Sequence, residues 1–386
     1  MSAPIPIKEY LLIPGPTQLP PEVIQAMAYP MINHRGPRFA KLLDNVFAGL
    51  KWAYQTKNDV VIIPSSGTGA MEAAVVNVLS KGDKVLVLNI GNFGARFVKI
   101  AKAYGLDVED MFFERGKAAD PKMVEERLKK DKNKEIKAVL FQQNETSTGV
   151  INDVKSIAKI VKEHGALIIV DAVSGLLTAD LKVDEWGLDV VAAGAQKAFM
   201  VPPGVAFVAI SKKAWDAHKT SNLPKFYWDF SIFKDFLAKG QTPTTPPISV
   251  LFGLEKGLEL LQKEGLENIF DRHAKLCKAV WVGGKALGLK FLADEKDASK
   301  AVTAVRSPEG VDAEQVRKIC REKYGVILAP GQGELKGKIF RIGHIGYAVD
   351  MDVLIAFSAV ERAFKELGAK IEVGKGVAAI QKYLAS

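Results

Sequence analysis

The sequence predicts an α/β protein in which a large domain, built on a mostly parallel sheet with helices on both faces, precedes a smaller α+β domain. The first observation is a regular alternation of apolar runs and helical patterns that begins at Val60. The second is the length of 386 residues, which exceeds what one hydrophobic core usually supports. We expect an N-terminal arm at 1–17, the large domain at 18–255 and the small domain at 256–386.

Two loops interrupt the first part of the chain. The motif PGPT at 14–17 cannot be helical and makes a poor strand interior, so we expect the amino terminus to lie as an arm on the body. The loop at 33–37 contains His34 and Arg35. A capped turn explains this loop, and the role of the two side chains is left open.

A regular strand and helix alternation follows the first amphipathic helix. The runs VVIIP at 60–64, KVLVLNI at 84–90 and KAVLFQQ at 137–143 are short, apolar and rich in β-branched residues. Helical patterns begin near Ala70 and Ala95 between them. Alternation of this kind predicts parallel strands that are buried on both faces by the intervening helices.

The stretch at 165–211 places an aspartate and a lysine at neighbouring strand ends. The run ALIIV ends in Asp171, and the run DVVAAGA is followed by Gln196 and Lys197. The run VAFVAI follows the proline turn at 202–204 so closely that we predict an antiparallel strand. Ligands of open α/β sheets bind beyond the carboxyl ends of the strands, so both charged side chains should face the site.

This pair suits the chemistry of pyridoxal phosphate. A lysine in apolar surroundings can lose its proton and form a Schiff base, and a buried carboxylate can keep a pyridine nitrogen protonated. The alternative is that Lys197 is a surface lysine and that Asp171 is a strand-terminal cap.

The ends of other predicted strands also carry residues that suit a cofactor site. The turn SSGTG at 65–69 opens a helix, where glycines let the backbone approach a ligand and unpaired amides attract phosphate. Phe93 follows the next predicted strand, and NETSTG at 144–149 concentrates hydroxyl and acidic groups after another. Taken one at a time, these three features are explained by a plain turn, a core aromatic residue and a helix cap. Their succession at consecutive strand ends before Asp171 and Lys197 is a far more specific indication of a cofactor site.

The carboxyl-terminal part changes pattern. The rigid loop TPTTPP at 242–247 leads into a helix expected from Ile248, and the later segments read as strand, helix, strand and helix. Arg341 lies in the second of these strands, beside glycines. Its planar guanidinium suits a carboxylate in two-point contact, with a surface salt bridge as the alternative.

Composition narrows the classes of function. The net charge is +9, but the basic residues do not cluster with aromatic residues, so we expect no nucleic-acid partner. Cys277 and Cys320 show no metal or disulfide spacing and suit a reducing cytoplasm. The sequence has no signal peptide pattern and no apolar stretch long enough for a membrane span, so no membrane association is expected.

Motifs along nearly the whole chain carry a resemblance to a known family. They are PGPT, SSGTGAMEA, NETSTGV, VDAVS, DEWGLDV, GAQKA with PPG behind it, TPTTPPIS, EGLENIFDRHA, FRIGHIG and VGKGVAA. With these motifs the chain closely resembles class V aminotransferases of pyridoxal-phosphate fold type I, in the serine-glyoxylate and alanine-glyoxylate (serine-pyruvate) branch. The resemblance implies pyridoxal 5′-phosphate as cofactor and ping-pong transfer from serine or alanine to glyoxylate or pyruvate.

The resemblance also implies residue roles. Lys197 would be the Schiff-base lysine, Asp171 would hold the pyridine nitrogen, and Val173 would lie against the ring. The other implied site residues are Ser66, Gly67, Thr68 and Gln196 at the phosphate, Phe93 stacked on the ring, Thr146 near the ring hydroxyl, and Arg341 and Gly15 at the substrate. The family is built as a homodimer with shared sites, in which Thr245 would reach the neighbouring subunit's phosphate.

Several alternatives remain open. Phe93, Thr68 and Thr242 stand where some relatives carry tryptophan, histidine and tyrosine, which leaves substrate preference undecided. The alternative functions on this fold are an aspartate-type aminotransferase and a cysteine desulfurase or lyase. Cys320 lies in a helical pattern, whereas a persulfide-forming cysteine needs an exposed loop. A basic binding protein without catalysis is opposed by the lysine, the aspartate and the phosphate-binding turn together. The role of His344 is also left open.

Overall fold

The computed structural model describes residues 8–386, which form two larger β-sheets, a two-stranded ribbon and the helices packed on them. The strands are β1 (Tyr10–Leu12), β2 (Asp59–Ile63), β3 (Lys84–Asn89), β4 (Asp107–Phe112), β5 (Ile136–Gln142), β6 (Asn144–Glu145), β7 (Val150–Ile151), β8 (Leu167–Asp171), β9 (Val190–Gly194), β10 (Ala206–Ile210), β11 (Val302–Arg306), β12 (Val326–Pro330) and β13 (Ile339–Gly343). Residues 1–7 of the predicted arm lie outside the described part of the chain.

Helices connect most of these strands. They are α1 (Pro21–Met27), α2 (Pro37–Tyr54), α3 (Gly67–Val76), α4 (Asn92–Ala103), α5 (Pro121–Lys130), α6 (Val154–His164), α7 (Val183–Trp186), α8 (Lys212–His218), α9 (Phe230–Leu237), α10 (Ile248–Glu264), α11 (Leu266–Ala286), α12 (Ala313–Tyr324), α13 (Asp350–Glu366) and α14 (Lys375–Leu384). The helices α3 and α4 each begin three residues earlier than the apolar pattern suggests, because their first turns are polar or glycine-rich.

The large sheet has seven strands in the order β2-β10-β9-β8-β5-β3-β4. Its neighbours pair in parallel, except that β10 pairs antiparallel with β2 and β9. The turn before β10 is too short for the crossover that a parallel strand needs, which explains the reversed direction. The predicted α/β class, the mostly parallel sheet and the antiparallel third run are confirmed.

Both faces of the large sheet are buried. In β2, Val60 and Ile62 join one apolar cluster with α2, α6 and α10, whereas Val61 and Ile63 join a second cluster with α3 and α4. Successive side chains of a strand point to opposite faces, so a strand covered on both sides must be apolar at every position. This requirement accounts for the continuous β-branched runs.

Strand β4 and helix α5 are elements that the sequence analysis does not predict. The strand carries the sequence DVEDMF and forms the edge of the large sheet beyond β3, where most of its residues are at least partly exposed. An edge strand has one neighbour only and tolerates charged side chains, so it lacks the apolar run by which the inner strands are identified.

The small sheet has the order β1-β12-β13-β11 and includes a strand from the amino terminus. β1 pairs in parallel with β12, with Tyr10 opposite Val326, so this part of the arm is a strand of the small sheet. A β-carbon at Gly343 would lie 2.2 Å from the carbonyl carbon of Ile13. The glycine therefore lets the arm cross directly over the end of β13.

The division into domains stays a prediction. The loop at 242–247 precedes α10 as expected, but α10 continues through residue 255, so the expected boundary falls inside a helix. Across residues 8–386, the helices are all too short or too polar to cross a membrane.

Candidate active site

Asp171 and Lys197 lie at the carboxyl edge of the large sheet. Asp171 ends β8, and Lys197 follows β9, the strand that pairs with β8. The hydroxyl of Thr17 and the backbone N–H of Met200 donate to the Lys197 carbonyl oxygen over 3.1 Å and 3.0 Å. These bonds hold the turn that carries the lysine, and the two charged residues lie at neighbouring strand ends as predicted.

The Asp171 carboxyl is only 3% exposed. Burial raises its pKa to about 7, and the negative charge of Glu145 acts in the same direction. The Val173 N–H donates to Asp171 Oδ1 over 2.9 Å and partly opposes this rise. A carboxyl with this pKa is divided between its two protonation states near neutral pH, which suits a group that shares a proton.

The Lys197 amine is directed at the amino-terminal arm. Its Nζ donates to the Pro14 carbonyl oxygen over 2.7 Å. Burial lowers the pKa of Lys197 to about 8, and the positive charges of Arg341 and Arg96 contribute to the decrease. A β-carbon at Gly15, whose φ is +138°, would lie 2.5 Å from Nζ. The structure thus places Gly15 against the lysine, and only glycine leaves room for it.

The start of α3 offers an anion site. Ser66 is the N-cap without a side-chain capping bond, and no hydrogen bond to the Gly67 or Thr68 N–H forms within residues 8–386. Gln196 Oε1 is buried without a partner. A β-carbon at Gly67 would lie 2.6 Å from Val173 Cγ2, so glycine is needed there. We call Ser66, Gly67, Thr68 and Gln196 the phosphate cradle, because open amides at a helix start attract phosphate.

An arginine that the sequence analysis does not identify joins this cradle. Phe93 lies in the first turn of α4, and Arg96 follows one turn later. The guanidinium carbon of Arg96 is 4.6 Å from the centroid of the Phe93 ring, and Nη1 donates to Thr68 Oγ1 over 2.8 Å. The spacing of three residues from Phe93 on a helix is the signal that could have identified Arg96.

A second unpredicted residue, Glu145, fixes the start of α4. Its buried carboxylate accepts the Phe93 N–H over 2.9 Å, the Gly94 N–H over 3.1 Å and the Ser147 hydroxyl over 2.6 Å. Burial raises the pKa of Glu145, and these donors oppose the rise. A β-carbon at Gly91 would lie 2.2 Å from Glu145 Cδ. The carboxylate therefore sits directly under the turn that presents Phe93.

Arg341 reaches the site from the middle of β13. It is 3% exposed, its Nε donates to the Pro330 carbonyl oxygen over 2.9 Å, and its Nη1 donates to the Thr146 carbonyl oxygen over 2.6 Å. Burial lowers its pKa to about 10. Its Nη2 has no hydrogen-bond partner in the described chain, which leaves one edge of the guanidinium for a carboxylate. The Thr146 hydroxyl is hydrogen-bonded to Ser174 Oγ over 2.6 Å.

The loop at 242–247 is not joined to the other predicted site residues. Thr245 is exposed, and no hydrogen bond links it to them over residues 8–386. Arg35 donates to Gln241 Oε1 and to the Thr242 carbonyl oxygen, each over 2.9 Å. Arg35 therefore holds the beginning of the loop.

His344, Cys277 and Cys320 are all buried. His344 is hydrogen-bonded to the Thr303 hydroxyl over 2.9 Å and to the Lys300 carbonyl oxygen over 3.1 Å, and burial lowers its pKa to about 4. Burial raises the pKa of Cys320, in α12, to about 12 and that of Cys277 to about 11. A thiol without thiolate character cannot act as a persulfide-forming nucleophile. The helical environment predicted for Cys320 is confirmed.

These residues fit pyridoxal phosphate. The phosphate cradle has open backbone N–H groups at a helix start, which are donors of the kind that a phosphate requires. A lysine with a lowered pKa lies beside a buried carboxyl that titrates near neutral pH. Such a pair matches the aldehyde and the basic ring nitrogen of this cofactor.

Known proteins are similar to this chain over its whole length. The family described as aminotransferase class-V matches residues 9–335. A Synechococcus protein named soluble hydrogenase, small subunit, is 46% identical over 98% of this chain and 99% of its own. A serine-glyoxylate aminotransferase of Methylorubrum extorquens is 38% identical over 98% and 96%. An L-aspartate-glyoxylate aminotransferase of Paracoccus denitrificans is 38% identical over 97% and 95%.

A solved structure agrees with these sequence relatives. The crystal structure of ureidoglycine-glyoxylate aminotransferase from Bacillus subtilis superposes with a TM-score of 0.93 at 31% identity, over 100% of both chains. The expected fold, family and cofactor are confirmed: this chain belongs to the class-V aminotransferases, has pyridoxal-phosphate fold type I, and is a transaminase that uses pyridoxal 5′-phosphate.

Proposed function

We propose that this transaminase moves the amino group of serine or alanine to glyoxylate or pyruvate by a ping-pong mechanism. The observation that carries the proposal is one guanidinium, Arg341, with a free edge at a site that also contains Lys197 and Asp171. Amino donor and oxo-acid acceptor share an α-carboxylate, so the same arginine can orient both in turn. Similarity to a serine-glyoxylate aminotransferase supports the same substrate class.

Aspartate is the rival donor, because one relative is named for it. Serine and alanine carry a single carboxylate, for which Arg341 suffices. Aspartate would need a further cation for its side chain, and Arg96 is already hydrogen-bonded within the phosphate cradle. The small donors are therefore preferred.

Lys197 is proposed to anchor the cofactor and to carry the substrate proton. Pyridoxal phosphate, when bound, supplies an aldehyde for the amino group and a ring that accepts the electron pair of the broken α-C–H bond. Lys197 Nζ, once free as an amine, is placed to take that α-proton and to return it. Its pKa of about 8 leaves a useful fraction of unprotonated amine near neutral pH. The Pro14 carbonyl oxygen orients Nζ meanwhile.

Asp171 is proposed to hold the proton on the ring nitrogen. The Val173 N–H fixes one of its oxygens, and burial excludes water that would weaken the interaction. Phe93 is assigned to the ring face, the cradle to the phosphate and Thr146 to the neighbourhood of the ring hydroxyl. Gly15 leaves room for the Lys197 side chain and is assigned to the substrate.

The substrate assignment is tested with a panel of amino donors and oxo acids. Purified protein loaded with cofactor should turn over serine or alanine with glyoxylate or pyruvate, and initial rates at several fixed acceptor concentrations should give the parallel double-reciprocal lines of a ping-pong mechanism. A clear preference for aspartate would replace the proposed donor. Sulfide release from cysteine would point to the desulfurase alternative.

We also propose a homodimer with shared sites, located in the cytoplasm. Thr245 is exposed on a proline-stiffened loop, as expected for a residue that contacts a neighbouring subunit. Tyr29, Met31 and Phe226 are 58%, 66% and 83% exposed, and large apolar side chains of this kind favour a protein partner. The two unpaired cysteines, Cys277 and Cys320, suit a reducing compartment.

The pKa of Lys197 predicts how cofactor uptake depends on pH. Only the unprotonated amine attacks an aldehyde, so the rate at which cofactor-free protein takes up pyridoxal phosphate should rise with pH and level off above a midpoint near 8. Stopped-flow absorbance measures the rate, and Nα-acetyl-lysine, whose side-chain amine gains reactivity up to about pH 10, is the control. Borohydride reduction and peptide mapping should place the pyridoxyl group on Lys197. Label on another lysine, or a midpoint near that of Nα-acetyl-lysine, would contradict this role.

Arg341→Lys should weaken the binding of every substrate that has an α-carboxylate. An ammonium cannot reproduce the two parallel hydrogen bonds of a guanidinium, so KM for donor and acceptor should rise about tenfold to a hundredfold, more than kcat falls. The matched control is Arg317→Lys, because Arg317 Nε also donates to a carbonyl of β12, that of Leu328. Unchanged KM values in Arg341→Lys would show that this arginine faces elsewhere.

We expect cofactor loss to be linked to dimer dissociation, and Thr245→Ala tests this linkage. If Thr245 contacts the neighbouring subunit's phosphate, the cofactor stabilises the dimer by mass action, and its removal should raise the dimer dissociation constant. Sedimentation of loaded and cofactor-free protein across a dilution series measures this, and Thr245→Ala should release cofactor several-fold faster. Thr244→Ala is the control, because the Thr244 hydroxyl is buried in its own subunit. A fully active monomer would exclude the shared site.

A further inference from the structure

The phosphate cradle contains no charged side chain of its own. Ser66, Gly67, Thr68 and Gln196 offer amides and hydroxyls, and a helix start contributes only about half a positive charge. A bound phosphate carries a charge of about −1.5 to −2 near neutral pH. The cradle alone therefore leaves much of that charge uncompensated, and a cation placed beside it would strengthen binding.

Arg96 is such a cation. Among the lysines and arginines of residues 8–386, it is the one that hydrogen-bonds to a cradle residue, through Thr68 Oγ1. The other two cations of the site are hydrogen-bonded to groups outside the cradle: Lys197 donates to Pro14, and Arg341 donates to Pro330 and Thr146.

Arg96 also lacks a carboxylate of its own. It is partly buried, and it forms no salt bridge with an aspartate or glutamate of the described chain. Arg115 provides the contrast: it lies 4.8 Å from the centroid of the Phe112 ring and donates to Asn89 Oδ1, but it is also 3.6 Å from Glu334. A partly buried guanidinium without a carboxylate partner is suited to an anionic ligand.

We propose that Arg96 is a further cofactor-binding residue, which neutralises the phosphate from α4 while Thr68 orients its guanidinium. This inference rests on the assignment of the cradle to the phosphate. Thr68 Oγ1 accepts a hydrogen bond from Arg96 Nη1 over 2.8 Å, which holds the guanidinium at the cradle. The arginine therefore supplies the positive charge that the cradle residues lack.

The placement of Arg96 is rigid. Glu145 accepts the N–H groups of Phe93 and Gly94 and so fixes the first turn of α4. Arg96 follows one helical turn later and lies over Phe93. Its charge also lowers the pKa values of Asp171 and Lys197, which is consistent with a guanidinium inside the site. A rigid cation costs little entropy when the phosphate binds.

The competing explanation is that Arg96 only orients the Phe93 ring. Pyridoxal, which has the ring and the aldehyde of the cofactor but no phosphate, separates the two. Dissociation constants of pyridoxal phosphate and pyridoxal are measured by absorbance titration of cofactor-free protein. Arg96→Gln keeps a donor for Thr68 but removes the charge. This variant should raise the dissociation constant of pyridoxal phosphate about tenfold to a hundredfold and leave the dissociation constant of pyridoxal unchanged.

Two further variants calibrate this result. Arg115→Gln removes the comparable arginine outside the cradle and should change neither dissociation constant. Arg96→Lys keeps the charge without the planar fork and should recover part of the affinity for pyridoxal phosphate. Thermal unfolding of the cofactor-free variants checks that they are folded. The salt dependence of binding can be measured on the wild-type protein alone. Added salt should weaken the binding of pyridoxal phosphate but not the binding of pyridoxal.

The possible results distinguish a failure of the Arg96 proposal from a failure of the cradle assignment on which it rests. Equal weakening of both ligands by Arg96→Gln would mean that Arg96 acts through the ring and would overturn the proposal. Unchanged binding of both would overturn it as well. If wild-type protein bound pyridoxal phosphate no more tightly than pyridoxal, the assignment of the cradle itself would fail.

Discussion

The placement of a buried aspartate and a partly buried lysine at the ends of β8 and β9 is the constraint on which the rest of the site depends. Asp171 and Lys197 are brought together because parallel neighbouring strands end at the same sheet edge. Burial disfavours both ionised forms, which moves the pKa of Asp171 up to about 7 and that of Lys197 down to about 8. Near neutral pH both groups can therefore gain or lose a proton, as amino transfer requires.

Parts distant in sequence enclose this pair. The amino-terminal arm forms β1 of the small sheet, crosses the end of β13 at Gly343, and presents the Pro14 carbonyl to the lysine. The strand β13 carries Arg341. The guanidinium of this residue donates a hydrogen bond to the Thr146 carbonyl oxygen, on the side of the site that the large sheet forms. The arm segment that follows β1 thus contributes the group that orients the lysine, and the small sheet contributes the arginine proposed to bind the substrate.

Residues at strand ends could be predicted from sequence, and residues that act through tertiary contacts could not. Asp171 and Lys197 follow continuous apolar runs, and the turn at 65–69 has a recognisable glycine pattern, so their positions follow from local rules. Glu145 gains its role from contacts with α4, and Arg96 from contact with α3, and these contacts between distant segments cannot be read from the sequence. The edge strand β4 lacks an apolar run and escapes the same rules.

The most direct test of the central claim is the turnover of Asp171→Asn at saturating cofactor. Asparagine has nearly the same shape and can still accept the Val173 N–H, so the fold and the bound cofactor should be retained. A neutral amide cannot stabilise a proton on the ring nitrogen. We therefore expect kcat to fall roughly a hundredfold or more, with cofactor affinity changed far less. A kcat near that of the wild-type enzyme would show that the buried carboxylate does not support the reaction.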